Sequence, residues 1–479
     1  MKTLTTAPKI APANAGQGPR WSSGINRRRG CALRYCLAGG HEGGKSMIRK
    51  TRSMKWIPFL TEDETRSIRR EFRTPVFVYD QRTLEHQARL VLSFPNAFGL
   101  TARYAMKACP TSAVLKVLTD AGLHIDASSG YEVERALCAG VSPERIQLTA
   151  QQVPDNLEEL VKRGVLFNAC SIAQIHAFGA LFPGRQLSIR VNPGLGSGHN
   201  NRTNVGGPSA SFGIWHEHLD QALAAGRRYG LKFTRLHTHI GSGSDPKVWQ
   251  RVALMSLATC SRLPDATVLN LGGGYKIGRV KGEETTNLQK IGLPILEAFR
   301  SFETKHGRRL HLEVEPGTYL VANSCALIAT VIDAVDTGHR GYKFLKVDAG
   351  MTEILRPSMY GAQHPVEVVP ATTRGRRHAK YVIVGHCCES GDVLTPAPGS
   401  PEALKPRLLP ETRIGDLVVL GGAGAYCSSM AARNYNSFPE AAEVMICENG
   451  TAELIRKRQS LDQIRQNEVM PSFLKGRAK

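Results

Sequence analysis

No window of the sequence offers about 18 consecutive apolar residues, which excludes a conventional membrane-spanning helix. No C-x-x-C pair occurs among its 11 scattered cysteines, and their number is odd. Zinc-site spacing is therefore absent, and reduced thiols in a cytosol-like compartment fit better than a disulfide framework. Acids are also in short supply, 41 against 62 Lys and Arg, a net charge of +21 that would ordinarily point to a polyanionic partner. The distribution of that charge removes most of its meaning. Residues 1–56 hold 12 Lys or Arg and a single acid, Glu42, so about half of the excess is an N-terminal extension.

That extension has no apolar periodicity and no apolar signal-peptide core, and no fold is expected from it. Its Arg27-Arg28-Arg29 cluster could belong to an organellar transit peptide, but Met47 and Met54 also stand just before the first patterned segment and could mark the start. A nucleic-acid arm would need a stacking platform, and residues 1–30 contain one aromatic, Trp21. Neither a nucleic acid nor a membrane is expected as a partner. What remains is ample for a soluble fold: 479 residues, 42% apolar, enough for one to three domains with a sizeable core.

From Thr74 onward short β-rich runs alternate with amphipathic helical stretches. Eight such runs begin at residues 101, 123, 145, 165, 187, 233, 266 and 310, and the seven segments between them read as helices, several stopped by glycines such as Gly122, Gly140 and Gly164. Eight β/α units predict a (β/α)8 barrel, with a doubly wound open sheet as the competing layout. Nearly every strand ends in a polar or glycine-rich group, as a ring of carboxyl ends around one site requires. After about residue 325, β-branched runs with Gly and Pro turns predict a C-terminal antiparallel β-domain, which the early strand at 76–79 joins. The expected division is a basic extension (1–56), a segment pairing with the β-domain (57–84), the barrel (85–325), the β-domain (326–455) and a C-terminal tail (456–479).

The strand ends hold the candidate chemistry. Lys107 places an amine at the mouth of the first strand, where burial would lower its pKa and permit Schiff-base formation. Gly272, Gly273 and Gly274 follow an apolar strand and could cradle a phosphate or form a tight turn. His237 and His239 lie two apart on an expected strand, directly before Gly241-Ser242-Gly243. They could be a metal pair, making a metal-dependent hydrolase, or one could lie flat against an aromatic cofactor. Glu315 in E-V-E-P-G directs a carboxylate into the same mouth, or caps a backbone. Together, an amine, a flat imidazole, a glycine cup and a carboxylate are what pyridoxal 5'-phosphate needs.

With YAMKA around Lys107, DASSGYE from Asp126, RVNPG, HIGSG from His239, LGGGY, EVEPG, DAGMTEILRPSMYGAQH, GHCCESGD and GAGAYCSSMAARNYNSFP, residues 72–450 resemble the fold-type III pyridoxal phosphate-dependent decarboxylases. Within them they resemble the branch that converts meso-2,6-diaminopimelate to L-lysine and CO2. The resemblance implies a cytoplasmic enzyme in which Lys107 carries the cofactor and His239 stacks on its ring. Ser242 with Gly272, Gly273 and Gly274 would hold its phosphate, and Glu315 would face the pyridine nitrogen. It also implies a homodimer with shared sites, the β-domain supplying Cys388 and Glu389 to a neighbour, and Arg356, Tyr360 and Tyr426 around substrate and phosphate. No metal is implied. One position departs: the family commonly has Arg after E-P-G, and Thr318 stands there. That leaves open a sister decarboxylase of another basic or carboxylated amino acid, unless Arg202 compensates.

Overall fold

The computed structural model describes residues 54–198, 204–242, 245–371 and 376–475. The basic extension up to residue 53, Arg202 and Gly243 lie outside the described residues. The chain opens with α1 (Glu62–Phe72), β1 (Val76–Asp80) and α2 (Gln81–Leu92). Next come β2 (Leu100–Ala105), α3 (Ser112–Asp120), β3 (His124–Ala127), α4 (Gly130–Cys138), β4 (Ile146–Leu148), α5 (Leu157–Lys162), β5 (Leu166–Ala169) and α6 (Ile172–Leu181). The second half of the barrel is β6 (Gln186–Asn192), the two-residue β7 (Ile214–Trp215), α7 (Leu219–Arg228), β8 (Lys232–His237), α8 (Pro246–Ser261), β9 (Val268–Asn270), α9 (Leu288–His306) and β10 (His311–Val314).

Strands β2, β3, β4, β5, β6, β8, β9 and β10 pair in parallel in that order, and β10 pairs β2, so the sheet closes on itself. The open-sheet alternative is thereby excluded. β7 hangs on β6 outside the ring, a pairing too short to leave a periodic signal. Most barrel strands combine buried apolar residues with a buried polar one: Asp126, Gln147, Asn168, Arg190, His237, Asn270 and Glu313. A short apolar run with one polar inward position suits a barrel whose axis is lined by hydrogen-bonded groups.

After α10 (Thr318–Val321) come β11 (Cys325–Asp336), β12 (Lys343–Val347), α11 (Arg356–Tyr360), β13 (Val366–Val369) and β14 (His378–Val384). The domain ends with β15 (Pro396–Ala397), β16 (Ser400–Leu404), β17 (Arg407–Pro410), β18 (Leu417–Leu420), β19 (Ala442–Ile446), β20 (Ala452–Arg456) and the short α12 (Leu461–Arg465). β1 joins this second sheet, antiparallel to β11 and parallel to β19, with Val76 and Val78 packed among Ile328, Val419 and Val444. The sheet is mostly antiparallel rather than wholly so, because β1–β19 and β12–β14 run parallel. The whole barrel separates β1 from β19, so no hairpin dictates their direction.

Five helices go beyond the sequence expectation: α1, α2, α10, α11 and α12. α1 starts at a capping box in which Thr61 and Glu64 satisfy each other's backbone N–H groups, and α2 buries Leu84, Ala88 and Val91. The one-turn α11 interrupts a region read as free of helices, with Pro357 in its first turn and left-handed Gly361 as its stop.

Candidate active site

Glu313 and Glu315, two residues apart, share one side of the chain at the end of β10, and Asn270 Nδ2 reaches both, at 3.2 and 2.7 Å. Glu313 belongs to the lower layer, where Arg103 binds it through Nε at 3.2 Å and Nη2 at 2.9 Å and Arg235 pairs with it as well. Burial opposes its ionisation, but the two guanidinium groups prevail and hold its carboxyl down to about 2.

Glu315 forms the upper layer. Gln147 Nε2 and Asn270 Nδ2 both donate to Oε1 at 2.7 Å, and His237 Nε2 lies 2.8 Å from Oε2. Burial again opposes the charge, yet His237, His239 and Lys107 outweigh it, and Glu315 stays well below the usual carboxylate range. Asp126, beside it on β3, moves the other way: burial first, then the charge of Glu315, raise it. Of these two neighbouring carboxyls, Glu315 keeps its charge more firmly and Asp126 takes up a proton more readily.

Above this floor lies a pocket lined by Ala105, Lys107, His239, Ser242, Gly274, Tyr275, Glu315, Gly317, Thr318 and Tyr426. Lys107, His239, Ser242, Gly274, Glu315 and Tyr426, six positions singled out in the sequence, thus meet in one cavity. Lys107 sits in a single 3-10 turn directly after β2. Its expected pKa depression is reversed: burial does pull the ammonium down, but Tyr426, Asp126 and Glu315 together act more strongly, and the pKa is raised. The β2 strand end alone gives no hint of those three groups.

The H-x-H pair is divided between two environments, because β8 ends at His237 and the alternation ends with it. His237 is sealed in the barrel against Glu315, whereas His239 Nδ1 accepts the Gly273 N–H at 3.2 Å. The His239 proton therefore sits on Nε2, and burial, with Arg190 and Lys107, keeps the ring neutral. Among the described residues no group of three or more His, Cys, Asp or Glu could hold a metal ion. The glycines are required by contact. A Cβ on Gly272 would lie 2.8 Å from His239 Cβ, and one on Gly273 would collide with the Glu315 carbonyl. Gly272 N–H is used by Asn270 Oδ1 at 2.8 Å and Gly273 N–H by His239, while the Gly274 N–H has no acceptor among the described residues. A flat neutral ring, an ionised carboxylate, an amine and an open backbone N–H fit pyridoxal phosphate.

The β-domain positions are elsewhere. Cys388 and Glu389 are exposed in the loop after β14 and do not line the pocket. Asp392 ties that loop to the one before α11: its Oδ2 accepts Cys387 N–H at 2.9 Å and its Oδ1 accepts Met351 N–H at 2.7 Å. Gly350 and Gly385 leave no room for a side chain against this carboxylate. Cys388 N–H is held by Asn436 Oδ1 at 2.8 Å, so three of the motifs are knitted together. Burial and Asp392 push the Cys387 thiol up to about 12, which leaves it inert. Arg356 and Tyr360 are half-buried at the two ends of α11, and Arg356 Nη1 is 3.2 Å from His364 Nε2. Gln147, Asn270 and the orienting role of His237 were not foreseen. Their signal is the single polar residue inside an otherwise apolar barrel strand.

Residues 83–322 match the family model described as pyridoxal-dependent decarboxylase, pyridoxal binding domain. Diaminopimelate decarboxylase of Escherichia coli strain K12 is 35% identical over 415 residues, covering 85% of this chain and 96% of that protein. The Streptomyces coelicolor enzyme of the same name is 35% identical over 411 residues, covering 84% and 90%. A crystal structure of diaminopimelate decarboxylase superposes with a TM-score of 0.79 at 33% identity, covering 88% of this chain and 98% of that one. That of the Helicobacter pylori enzyme complexed with L-lysine gives 0.72 at 27%, covering 84% and 98%. With its closed parallel barrel, its mostly antiparallel second sheet and this set of relatives, the chain belongs to the pyridoxal-dependent decarboxylases, within the diaminopimelate decarboxylase family.

Proposed function

We propose that the protein decarboxylates meso-2,6-diaminopimelate to L-lysine and CO2, the last step of lysine biosynthesis, in the cytoplasm and as a homodimer with shared sites. The observation that supports this reading best is the three-point clamp on Glu315 beneath the Lys107 amine. Bound pyridoxal 5'-phosphate supplies an electron sink for the pair left behind when CO2 departs.

The chain's own residues do the rest. Lys107 Nζ would be the residue that holds the cofactor covalently. Glu315, fixed by Gln147, Asn270 and His237, offers a negative charge that would favour the protonated form of the cofactor's ring nitrogen. Because its three donors are already in place, no reorganisation accompanies the development of charge. His239, neutral and immobilised by Gly273 N–H, supports a ring face without adding a cation that would compete with Glu315. Gly274 N–H, with Ser242 at the pocket wall, suits a phosphate, and the small Gly272 and Gly273 let the backbone approach it.

Cys388 of the partner subunit would return a proton to the α-carbon, and the partner's Glu389 would bind the substrate amine. Exposure of this loop away from its own pocket is what supports a shared site. Arg356, Tyr360 and Tyr426 would surround substrate and phosphate. The test is production of lysine from meso-diaminopimelate by cofactor-loaded protein, compared with lysine and ornithine as alternative substrates. Turnover of only a monocarboxylic amino acid would favour the sister-decarboxylase reading that Thr318 raises.

A further inference from the structure

Diaminopimelate has a carboxylate at each end, yet the position from which the resemblance expects an arginine holds Thr318. That residue opens α10 and lines the pocket without offering a charge. A cation lies next in sequence to a residue tied to the turn that follows this helix. Beyond Gly274 and Tyr275 the chain reaches Gly278, whose carbonyl accepts from Asn323 Nδ2 at 3.0 Å in the turn after α10. The next residue is Arg279.

Arg279 Nε donates to Gly422 O at 3.1 Å. Gly422 has a φ of +64°, and a Cβ there would lie 2.8 Å from Arg279 Cδ, so glycine is what lets the stem cross at this point. The preceding carbonyl, Gly421 O, is 2.9 Å from His364 Nδ1, and His364 Nε2 is 3.2 Å from Arg356 Nη1. Successive carbonyls after β18 thus hold two arginines, one directly and one through an imidazole, in the segment that leads to Tyr426 in the pocket wall.

The pair is left electrostatically incomplete. Arg279 Nη2 is sealed from solvent and has no acceptor among the described residues. Glu283 offers little relief, since it is exposed and its Oε2 accepts the Arg279 backbone N–H at 2.8 Å. Burial, and then the like charge of Arg356, pull Arg279 down to about 9. A sealed donor on a cation beside a second cation is costly in the free protein and is relieved by an anion that enters between them.

We infer that Arg279 binds the distal carboxylate of the substrate together with Arg356, replacing the charge that is missing at position 318. Arg279 then determines specificity for a dicarboxylic substrate from a different strand end of the barrel. This rests on the diaminopimelate reading, but a probe other than turnover can separate the two.

The probes are pimelate, which has both carboxylates and no amine, and hexanoate, which has one carboxylate; both are titrated calorimetrically into the cofactor-loaded enzyme. The wild type should prefer pimelate. In Arg279→Gln that preference should fall by about 10- to 100-fold, with KM for meso-diaminopimelate rising in parallel and kcat and cofactor content little changed, since a hydrogen bond to a charged group is lost. Arg279→Lys keeps the charge but cannot serve Gly422 O and a carboxylate at once, so it should retain part of the preference. Adding Thr318→Arg to Arg279→Gln should restore it. Wild-type preference in a folded, cofactor-loaded Arg279→Gln would overturn the inference, and so would full wild-type preference in Arg279→Lys should the Gln variant not fold. A wild type that prefers pimelate through Arg279 yet leaves meso-diaminopimelate intact would support the arginine's role and overturn the substrate.

Discussion

Replacing Glu315 with Gln removes one charge and almost no volume, and the surroundings define its consequences. Two of the three donors to the carboxylate, Gln147 and Asn270, converge on Oε1. An amide oxygen can keep both. The amide nitrogen then faces His237 Nε2, where a carboxylate oxygen stood at 2.8 Å, and the imidazole must turn that nitrogen into an acceptor and carry its proton on Nδ1. Nδ1 is buried without a partner, so the shift leaves an orphaned donor, a loss of about 1–3 kcal/mol in stability. Turnover should suffer more. The lost charge is the preorganised one facing the reacting system, and removal of such a group lowers rates by about 100- to 1,000-fold. The assay is CO2 release at saturating substrate and cofactor, with thermal unfolding of the same samples. Turnover within about threefold of wild type, a barrier change well under 1 kcal/mol, would refute the role given to Glu315.

Lys107→Ala should abolish both turnover and the visible absorbance of the cofactor-loaded protein, because one amine serves anchoring and exchange; retention of either in the purified variant would move the site elsewhere. Mixing inactive Lys107→Ala and inactive Cys388→Ala chains should restore up to about a quarter of wild-type activity, since half of the random dimers hold one intact site; demonstrated subunit exchange without recovery would contradict a shared site. Stability should also respond to Glu353, whose carboxyl burial raises from 4.5 to about 7. The native state then binds the proton more tightly than the unfolded chain, so stability is full below pH 4.5 and is lost as pH rises to about 7, by about 3 kcal/mol in all. Glu353→Gln should flatten that decline in denaturant titrations between about pH 5 and about pH 8, and an unchanged slope would show that the decline arises elsewhere.

The barrel was legible because its signal is local. Each strand is a short apolar run closed by a polar or glycine-rich end, and the eight expected starts fall within two residues of those observed. The pocket membership of Lys107, His239, Ser242, Gly274, Glu315 and Tyr426 was legible for the same reason, being written at strand ends and in long motifs. What was not legible depends on neighbours distant in sequence. The sign of the Lys107 shift is set by Tyr426, Asp126 and Glu315 rather than by the strand that carries it. The division of His237 from His239 depends on where β8 stops, and the fixing of Glu315 depends on residues from β4, β8 and β9. Arg279 stands in an irregular segment with no periodicity, and only the folded chain brings it to Gly422.

The central claim is that this pocket removes one carboxylate from meso-diaminopimelate with the cofactor held at Lys107. The most direct test incubates purified, pyridoxal phosphate-loaded protein with meso-diaminopimelate and measures lysine and CO2 together, with Lys107→Ala as the control. The account predicts that the two products appear in equal amounts and that neither forms in the variant. Loaded, folded protein that leaves meso-diaminopimelate intact, or a Lys107→Ala variant that still forms lysine, would contradict it.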